Sequence, residues 1–392
     1  MESKQLGWLH KRAQQWSEFR GMALAAHAQS GRGVWQQLRD IMALRKAGGQ
    51  CGVSDYYWYR LYDPKYQQGR GAPDYLGWRL QAALCLALNP RHAVLPAWDK
   101  ITFLTLAHAA GLPVAPVAAT YSRAPQVAAV LGTHLATPEA TAHYLRAEAK
   151  YPLFAKPSFS QQGLGALSMD GYDVASDSLR LADGSALAVE VFLRRLTVSL
   201  DRRYHKPECG LLFQPRLTSA REIVELTNWP AVSGVRVTCL NGPDGAIPIR
   251  AFWKVCLPPN QIDNFSKGKY GNLLADVDIE TGSVSRLLAG IGPAHTPMSR
   301  LPHNQRDITG FQLPGWAQVL DACVRAGPVF PMLGLHGWDF ALTDDGPLML
   351  ELNDTVSTEA LQLYGRGLLT PSFRAFLKER CDQRLHRWIA SL

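Results

Sequence analysis

Residues 337–354 read GWDFALTDDGPLMLELND. Two apolar runs flank Asp344-Asp345-Gly346, a tight-turn signal, so the segment is expected to fold as a β-hairpin. Folding about that turn brings Asp339 opposite, or nearly opposite, Glu351. Side chains alternate along a strand, so Glu351 and Asn353 share a face. One face of the hairpin then carries Asp339, Glu351 and Asn353 among apolar neighbours. Two carboxylates so close repel each other and are costly to bury unpaired. A hard divalent cation removes that cost, and Mg²⁺ takes oxygen ligands and completes its shell with substrate phosphates. A solvated hairpin face is the plainer alternative; the apolar run around Glu351 (LMLEL, 348–352) favours the metal.

Upstream, residues 153–167 (LFAKPSFSQQGLGAL) place Lys156 at the end of an apolar strand, followed by a Ser/Gly-rich loop. Backbone amides and a lysine point charge are what a triphosphate needs, although a lysine before a glycine-bearing turn is common. Lys100 stands at a helix start, where a lysine is usually solvated. Residues 211–217 (LLFQPRL) are a strand running into a Pro-containing turn, whose exposed backbone could pair with an adenine edge. Arg236 in SGVRVTCL and Arg250 in IPIRAFWKV sit on strands with apolar neighbours, where an arginine needs an anion, either a ligand or a structural carboxylate.

Further outward, residues 5–47 read as one helix stopped by Gly48-Gly49. An aromatic cluster follows (Tyr56, Tyr57, Trp58, Tyr59, Tyr62), expected to pack the first helices onto the rest, with a sugar-stacking site as the alternative. Asp99 reads as an N-cap, Lys100–Ala110 as a helix and Gly111 as its stop. Strands are expected at 112–120, 153–156, 187–192, 210–213, 235–240, 247–255 and 283–288. Helix is expected at 124–150, broken near Gly132 and Pro138, then at 316–326 and from Pro371. Strands and helices mix without β-α-β alternation, so the expected class is α+β. No internal repeat, low-complexity segment, ordinary P-loop or dinucleotide fingerprint is present.

The composition agrees with an enzyme. At 392 residues the chain is long enough for two or three units of about 100–200 residues, and 47% of it is hydrophobic, enough for sizeable cores. The formal charge of +8, from 41 Lys and Arg against 33 Asp and Glu, suits an anionic substrate. There is no basic run, zinc-finger spacing or aromatic-basic RNA motif, which argues against nucleic acid. Seven scattered cysteines without a C-x-x-C pair argue against a disulfide framework or a structural zinc. No apolar run reaches the roughly 20 residues of a membrane helix, and the amphipathic N-terminus lacks a signal-peptide core; the expectation is a soluble cytoplasmic protein.

The order of parts carries a family resemblance: Lys100 at a helix start, then KPSFSQQGLG, LLFQPRL, VRVTCL, HGWDFAL and LMLELN. This order resembles the ATP-grasp superfamily, and more narrowly the sugar-transfer-associated ATP-grasp proteins, related to α-L-glutamate ligases, over about residues 96–370. The first ninety or so residues are similar to the helical, Tyr-rich leader of that group. The resemblance implies two α+β subdomains clamping ATP, with the helical region at 1–95, a small lid subdomain at 96–213 and a large one at 214–392. Lys100 and Lys156 would hold the α- and β-phosphates, and the loop with Ser158, Ser160, Gly163 and Gly165 would close over the triphosphate. Gln214, Pro215, Arg216 and Leu217 would form the adenine hinge, and Glu222 could hold the ribose. Asp339, Glu351 and Asn353 would carry one or two Mg²⁺ ions, and Arg236 would stabilise the transferring phosphoryl group.

The pattern departs at Gly337, where many peptide-forming relatives place an arginine; Arg236 or Arg250 would take over. Lys267 and Lys269 in DNFSKGKYGN (263–272) would meet an acidic substrate or be solvated. The implied activity is an ATP- and Mg²⁺-dependent ligase joining a small-molecule or saccharide carboxylate to an amine through an acyl phosphate, in polysaccharide or cell-surface biosynthesis. A kinase of a hydroxyl acceptor and a non-catalytic ATP-binding protein are the alternatives.

Overall fold

The computed structural model describes residues 2–67, 74–122, 131–160, 163–196, 210–243, 245–293 and 297–380, with side-chain surroundings from residue 16 onward. Cys209, Cys381 and the helical expectation at 124–130 lie outside the described residues. The chain divides into two compact units, Met1–Leu88 with Leu288–Met298 and Thr355–Leu392, and Asn89–Leu287 with Ser299–Asp354. Among the described residues no helix is long and apolar enough to cross a membrane.

The first unit is helical. The expected single helix over 5–47 is two helices, Glu2–Ser30 and Val34–Lys46. Gly31 takes a φ of +73°, a left-handed conformation that ends the first helix and costs glycine little. Tyr56, Tyr57, Tyr59 and Tyr62 are buried, which settles the aromatic cluster as packing. Their hydroxyls reach back to the helices: Tyr57 donates to Gln37 Oε1 at 2.8 Å and Tyr62 to Gln29 Oε1 at 2.8 Å.

The second unit holds two sheets, in an α+β arrangement. The first has seven strands: β1 (Ala119–Tyr121), β2 (Thr133–Leu135), β3 (Leu153–Pro157), β4 (Leu167–Asp173), β5 (Ser178–Leu181), β6 (Ala186–Ala188) and β7 (Leu211–Pro215). They lie in the order β2-β1-β7-β3-β4-β5-β6, and among the described residues only β1 and β2 pair in parallel. The second has six: β8 (Val235–Gly242), β9 (Gly245–Val255), β10 (Leu273–Val277), β11 (Val284–Leu288), β12 (Leu335–Thr343) and β13 (Gly346–Asn353). Their order is β11-β10-β9-β8-β12-β13. The boundary expected between 213 and 214 falls inside β7.

Several expectations are corrected. The strand expected over 112–120 survives only as β1, because Pro113 and Pro116 have no N–H to give a ladder; Val114 instead makes a single parallel bridge to Met349. Residues 133–135 are strand rather than helix. Residues 189–196 are a helix rather than a strand: Val189, Phe192 and Leu196 are buried at helical spacing, and Arg194 and Arg195 fall in the last turn. β10 was not foreseen, since all five of its residues are buried and no alternation marks it. The helix Trp316–Ala326 forms as expected and packs on β9 and β13. On the face of the sheet away from Arg236, Val235, Val237, Trp253, Trp338 and Phe340 are all buried, and the Trp338 ring meets Phe103 and Phe330.

Candidate functional site

The hairpin closes through Asp344 and Asp345, with Thr343 paired to Gly346, whose φ is +108°. In that register Asp339 would stand opposite Leu350. The register shifts between Asp339 and Phe340, so that Phe340 pairs with Met349 while Asp339 pairs with Glu351. Leu350 is thus the extra residue of a bulge, and the bulge puts both carboxylates on one face. Gly337 pairs with Asn353 on the same face.

Neighbouring strands extend this face. Arg236 of β8 lies opposite both Asp339 and Phe252. It donates from Nε to Asp339 Oδ1 at 2.5 Å and from Nη2 to Oδ2 at 2.7 Å. The Phe252 ring backs the guanidinium at 5.9 Å. Lys254 donates to Asp339 Oδ2 at 3.2 Å and contacts Asp263 at 3.2 Å. Asp263 also accepts from the Gly234 amide at 2.8 Å, which ties its loop to the sheet. Asp339 is only 3% exposed. Burial alone would raise its pKa, but Arg236 and Lys254 hold it well below the usual carboxylate range. Burial would lower Lys254, yet Asp263 and Asp339 carry it up to about 12. The charges therefore hold one another in the ionised form.

From the first sheet's side come two lysines. Asp99 caps the helix Lys100–Ala109 by accepting from the Ile101 and Thr102 amides. Lys100 lies 3.6 Å from Glu351 Oε2 and donates to the Ser160 carbonyl at 2.8 Å. Lys156 of β3 is half-buried, and among the described residues no carboxylate lies within ion-pair distance of it. Burial first, and the Lys100 charge second, lower its pKa to about 8, despite the opposing pull of Glu351 and Asp339.

Lys100, Lys156, Arg236, Asp339, Glu351 and Asn353 are thus brought together. Arg250 sits one step along the same face, opposite Thr238. The Ser160 carbonyl faces Lys100, whereas the Ser158 hydroxyl is turned away, buried and donating to Asp99. Gly163 and Gly165 have φ of +73° and +78°, and a Cβ at Gly163 would meet the Ile262 side chain at 3.1 Å. Gln214 and Pro215 pair with Phe154 and Leu153, and the Gln214 amide donates to the Pro116 carbonyl at 3.1 Å. Arg216 is held by Asp170, and Leu217 is half-buried beyond it. Glu222 is exposed in the first turn of the helix Arg221–Thr227. Lys267 and Lys269 are exposed.

Two site residues escaped the sequence reading. Lys254 shares a face with Arg250 and Phe252 by simple alternation, a signal present in IPIRAFWKV. Asp263, rather than the lysines of its loop, reaches the charged row, and no sequence signal marked it.

The donor set fits a hard divalent cation in part. The Glu351 side chain is 32% exposed, with cations no closer than 3.6 Å. The Asn353 amide nitrogen is buried without a hydrogen-bond partner. Glu351 has capacity to spare, whereas the Asn353 nitrogen is a donor and only the amide oxygen of that residue could ligate a cation; both Asp339 oxygens already face cations.

No curated protein sequence matches the chain significantly. Among solved structures it is similar to D-alanine–D-alanine ligase from Helicobacter pylori, with 11% identity and a TM-score of 0.40 over 78% of this chain and 64% of that one. It is similar to VanG D-Ala:D-Ser ligase from Enterococcus faecalis, with 14% identity and a TM-score of 0.36 over 71% and 63%. It is also similar to the biotin carboxylase domain of 2-oxoglutarate carboxylase from Hydrogenobacter thermophilus, with 12% identity and a TM-score of 0.37 over 75% and 52%. The chain thus spans between 52% and 64% of the length of these three. The family model described as sugar-transfer associated ATP-grasp matches residues 79–375, well over half of the sequence. The chain belongs to the sugar-transfer associated ATP-grasp family.

Proposed function

We propose that this protein is an ATP- and Mg²⁺-dependent ligase that joins a carboxylate, on a small molecule or a saccharide, to an amine through an acyl phosphate. The observation that carries this reading is Lys156. It is a half-buried cation beside Lys100 with no carboxylate within ion-pair distance among the described residues, and its pKa is lowered to about 8. Such a group is stabilised by an arriving anion, and a polyphosphate supplies the charge. The seven-stranded sheet serves as lid and the six-stranded sheet as base of the nucleotide site, as in other members of the superfamily.

In this reading Lys100 and Lys156 hold the phosphates, with Ser160, Gly163 and Gly165 beside them. Glu351 and Asn353 hold the divalent cation, joined by Asp339 when Arg236 turns from it to phosphate. Bound there, Mg²⁺ neutralises the phosphate oxygens. Gln214 to Leu217 would line the adenine and Glu222 the ribose. Arg236 faces the charge that develops as the substrate carboxylate attacks the γ-phosphorus and ADP leaves. The amine then displaces phosphate from the acyl carbon. The chain's main contributions are orientation and exclusion of water. The family description points to saccharide chemistry, with polysaccharide or cell-surface biosynthesis in the cytoplasm as the setting.

The test is to incubate the protein with Mg-ATP and a pool of uronic acids and amino acids, measuring free phosphate and new masses together. Phosphate release with a product lighter than its summed substrates by one water is the expected result. A product heavier by one phosphate, with ADP and no free phosphate, would replace the ligase by a kinase.

A further inference from the structure

One step along the strands from the Arg236–Asp339–Glu351 row lies a second row. Arg250 pairs with Thr238, Thr238 with Gly337, and Gly337 with Asn353. The two rows are two residues apart, about 6.5–7 Å. Thr238 is fully buried, and its hydroxyl has no hydrogen-bond partner. The Asn353 amide nitrogen is in the same condition. A buried polar atom left unpaired is disfavoured, and here two such atoms flank one residue.

That residue is Gly337, in the middle of β12. Its backbone is not in the left-handed region. A Cβ there would meet nothing nearer than Arg236 Cδ at 3.5 Å and Cγ at 3.6 Å, then Asn353 Cβ at 3.8 Å, all ordinary contacts. Neither conformation nor crowding calls for glycine, and a glycine inside a strand weakens it. What glycine leaves is a small notch between two unsatisfied hydrogen-bonding groups, roofed by the stem of Arg236.

We propose that the notch over Gly337, between Thr238 and Asn353, seats the carboxylate group of the acyl substrate. The proposal rests on the ligase reading and adds where the acid sits. The Thr238 hydroxyl and the Asn353 amide nitrogen donate to the carboxylate, and the guanidinium of Arg236 stands between it and the phosphate row. An anion that draws Arg236 toward itself lifts the roof. The seated oxygen is then one row from the phosphorus it attacks. Asn353 would serve both rows, offering its oxygen to the metal and its nitrogen to the carboxylate.

The test uses formate as the smallest carboxylate, followed by line broadening of its proton on the full chain loaded with MgADP. Formamide serves as the uncharged control. Gly337→Ala fills the notch with a methyl that the fold accommodates, and Thr238→Val removes the hydroxyl at equal shape. Formate should bind the wild type and bind each variant at least tenfold more weakly, and formamide should not bind. Equal formate affinity in all three proteins, absence of formate binding to the wild type, or formamide binding as well as formate would overturn the proposal. Equal affinity is also what a notch filled only by a structural water would give. Calorimetry with MgADP reads the nucleotide site separately. Failure of MgADP to bind any of the three proteins defeats the ligase reading, whereas intact MgADP binding with formate indifferent to the substitutions defeats the notch alone.

Discussion

On one face of the second sheet, Val235, Val237, Trp253, Val255, Trp338 and Phe340 are buried, and the helix Trp316–Ala326 packs on β9 and β13. On the other, one residue away along the same strands, stand Arg236, Thr238, Lys254 and Asp339. The apolar face gains stability from area removed from water, which is non-directional and shared among many contacts. The polar face depends on a few directed contacts, and each of its charges is worth burying only while its partners stay. The first kind of surface tolerates small changes of shape; the second does not tolerate loss of a partner.

The sharpest break in this contrast is Asp339→Ala, which leaves Arg236 and Lys254 buried without their shared acceptor. Urea denaturation should show a loss of about 3–5 kcal/mol, together with loss of ATP turnover. A change below about 1 kcal/mol, the range of exposed pairs, would show that the row is held by something other than charge pairing. Phe340→Ala on the opposite face should lower stability by a similar amount, about 3–5 kcal/mol. MgADP affinity of the folded protein should hardly move, because the cavity opens away from the charged row. A parallel fall in affinity would mean that the two faces are not independent.

Glu351→Ala sharpens the comparison from the other side. Its side chain is 32% exposed, and its cations lie at 3.6 and 3.7 Å. A pair of that kind contributes about 0–1 kcal/mol, so the variant should fold normally. It should nevertheless lose Mg²⁺-dependent ATP turnover, and unchanged turnover would remove Glu351 from the metal site. Asp339 and Glu351 face each other directly, yet one is expected to act on both stability and chemistry and the other almost wholly on chemistry.

The hairpin itself was legible because its turn and apolar runs are local signals. The alignment of Asp339 with Glu351 was only half legible. A regular register from the Asp344-Asp345-Gly346 turn would have placed Glu351 on the apolar face, and the bulge at Leu350 corrects it. A bulge leaves no mark in a run such as LMLEL, where apolar residues fit either face. The Asp99 cap and the helix after it were legible for the same local reason. The helix Val189–Leu196 was misread because Val189, Glu190 and Val191 alternate as in a strand and Val and Phe favour strands; the helical period shows only when Leu196 is included. Asp263 was out of reach of sequence altogether, since its role depends on a loop returning 29 residues later to the Gly234 amide.

The smallest effect expected is also the most diagnostic of function, and it concerns Lys156. An unfolded lysine keeps a pKa near 10.5, whereas in the folded chain burial and Lys100 bring it to about 8. Below pH 8 both states carry the proton, and folding bears the full penalty of holding that cation. Between pH 8 and 10.5 the unfolded state binds the proton and the folded state does not, so this residue's contribution favours folding increasingly as pH rises. Nucleotide binding should run the other way, since the phosphates need the charged form. MgADP affinity should therefore fall as pH rises above 8, by up to about tenfold per unit if one proton is required. Lys156→Met should bind MgADP more weakly at pH 7, lose that pH dependence, and be no less stable than the wild type at pH 7. A variant that is both less stable and still pH-dependent in binding would assign Lys156 to the scaffold and leave the phosphates to Lys100 alone.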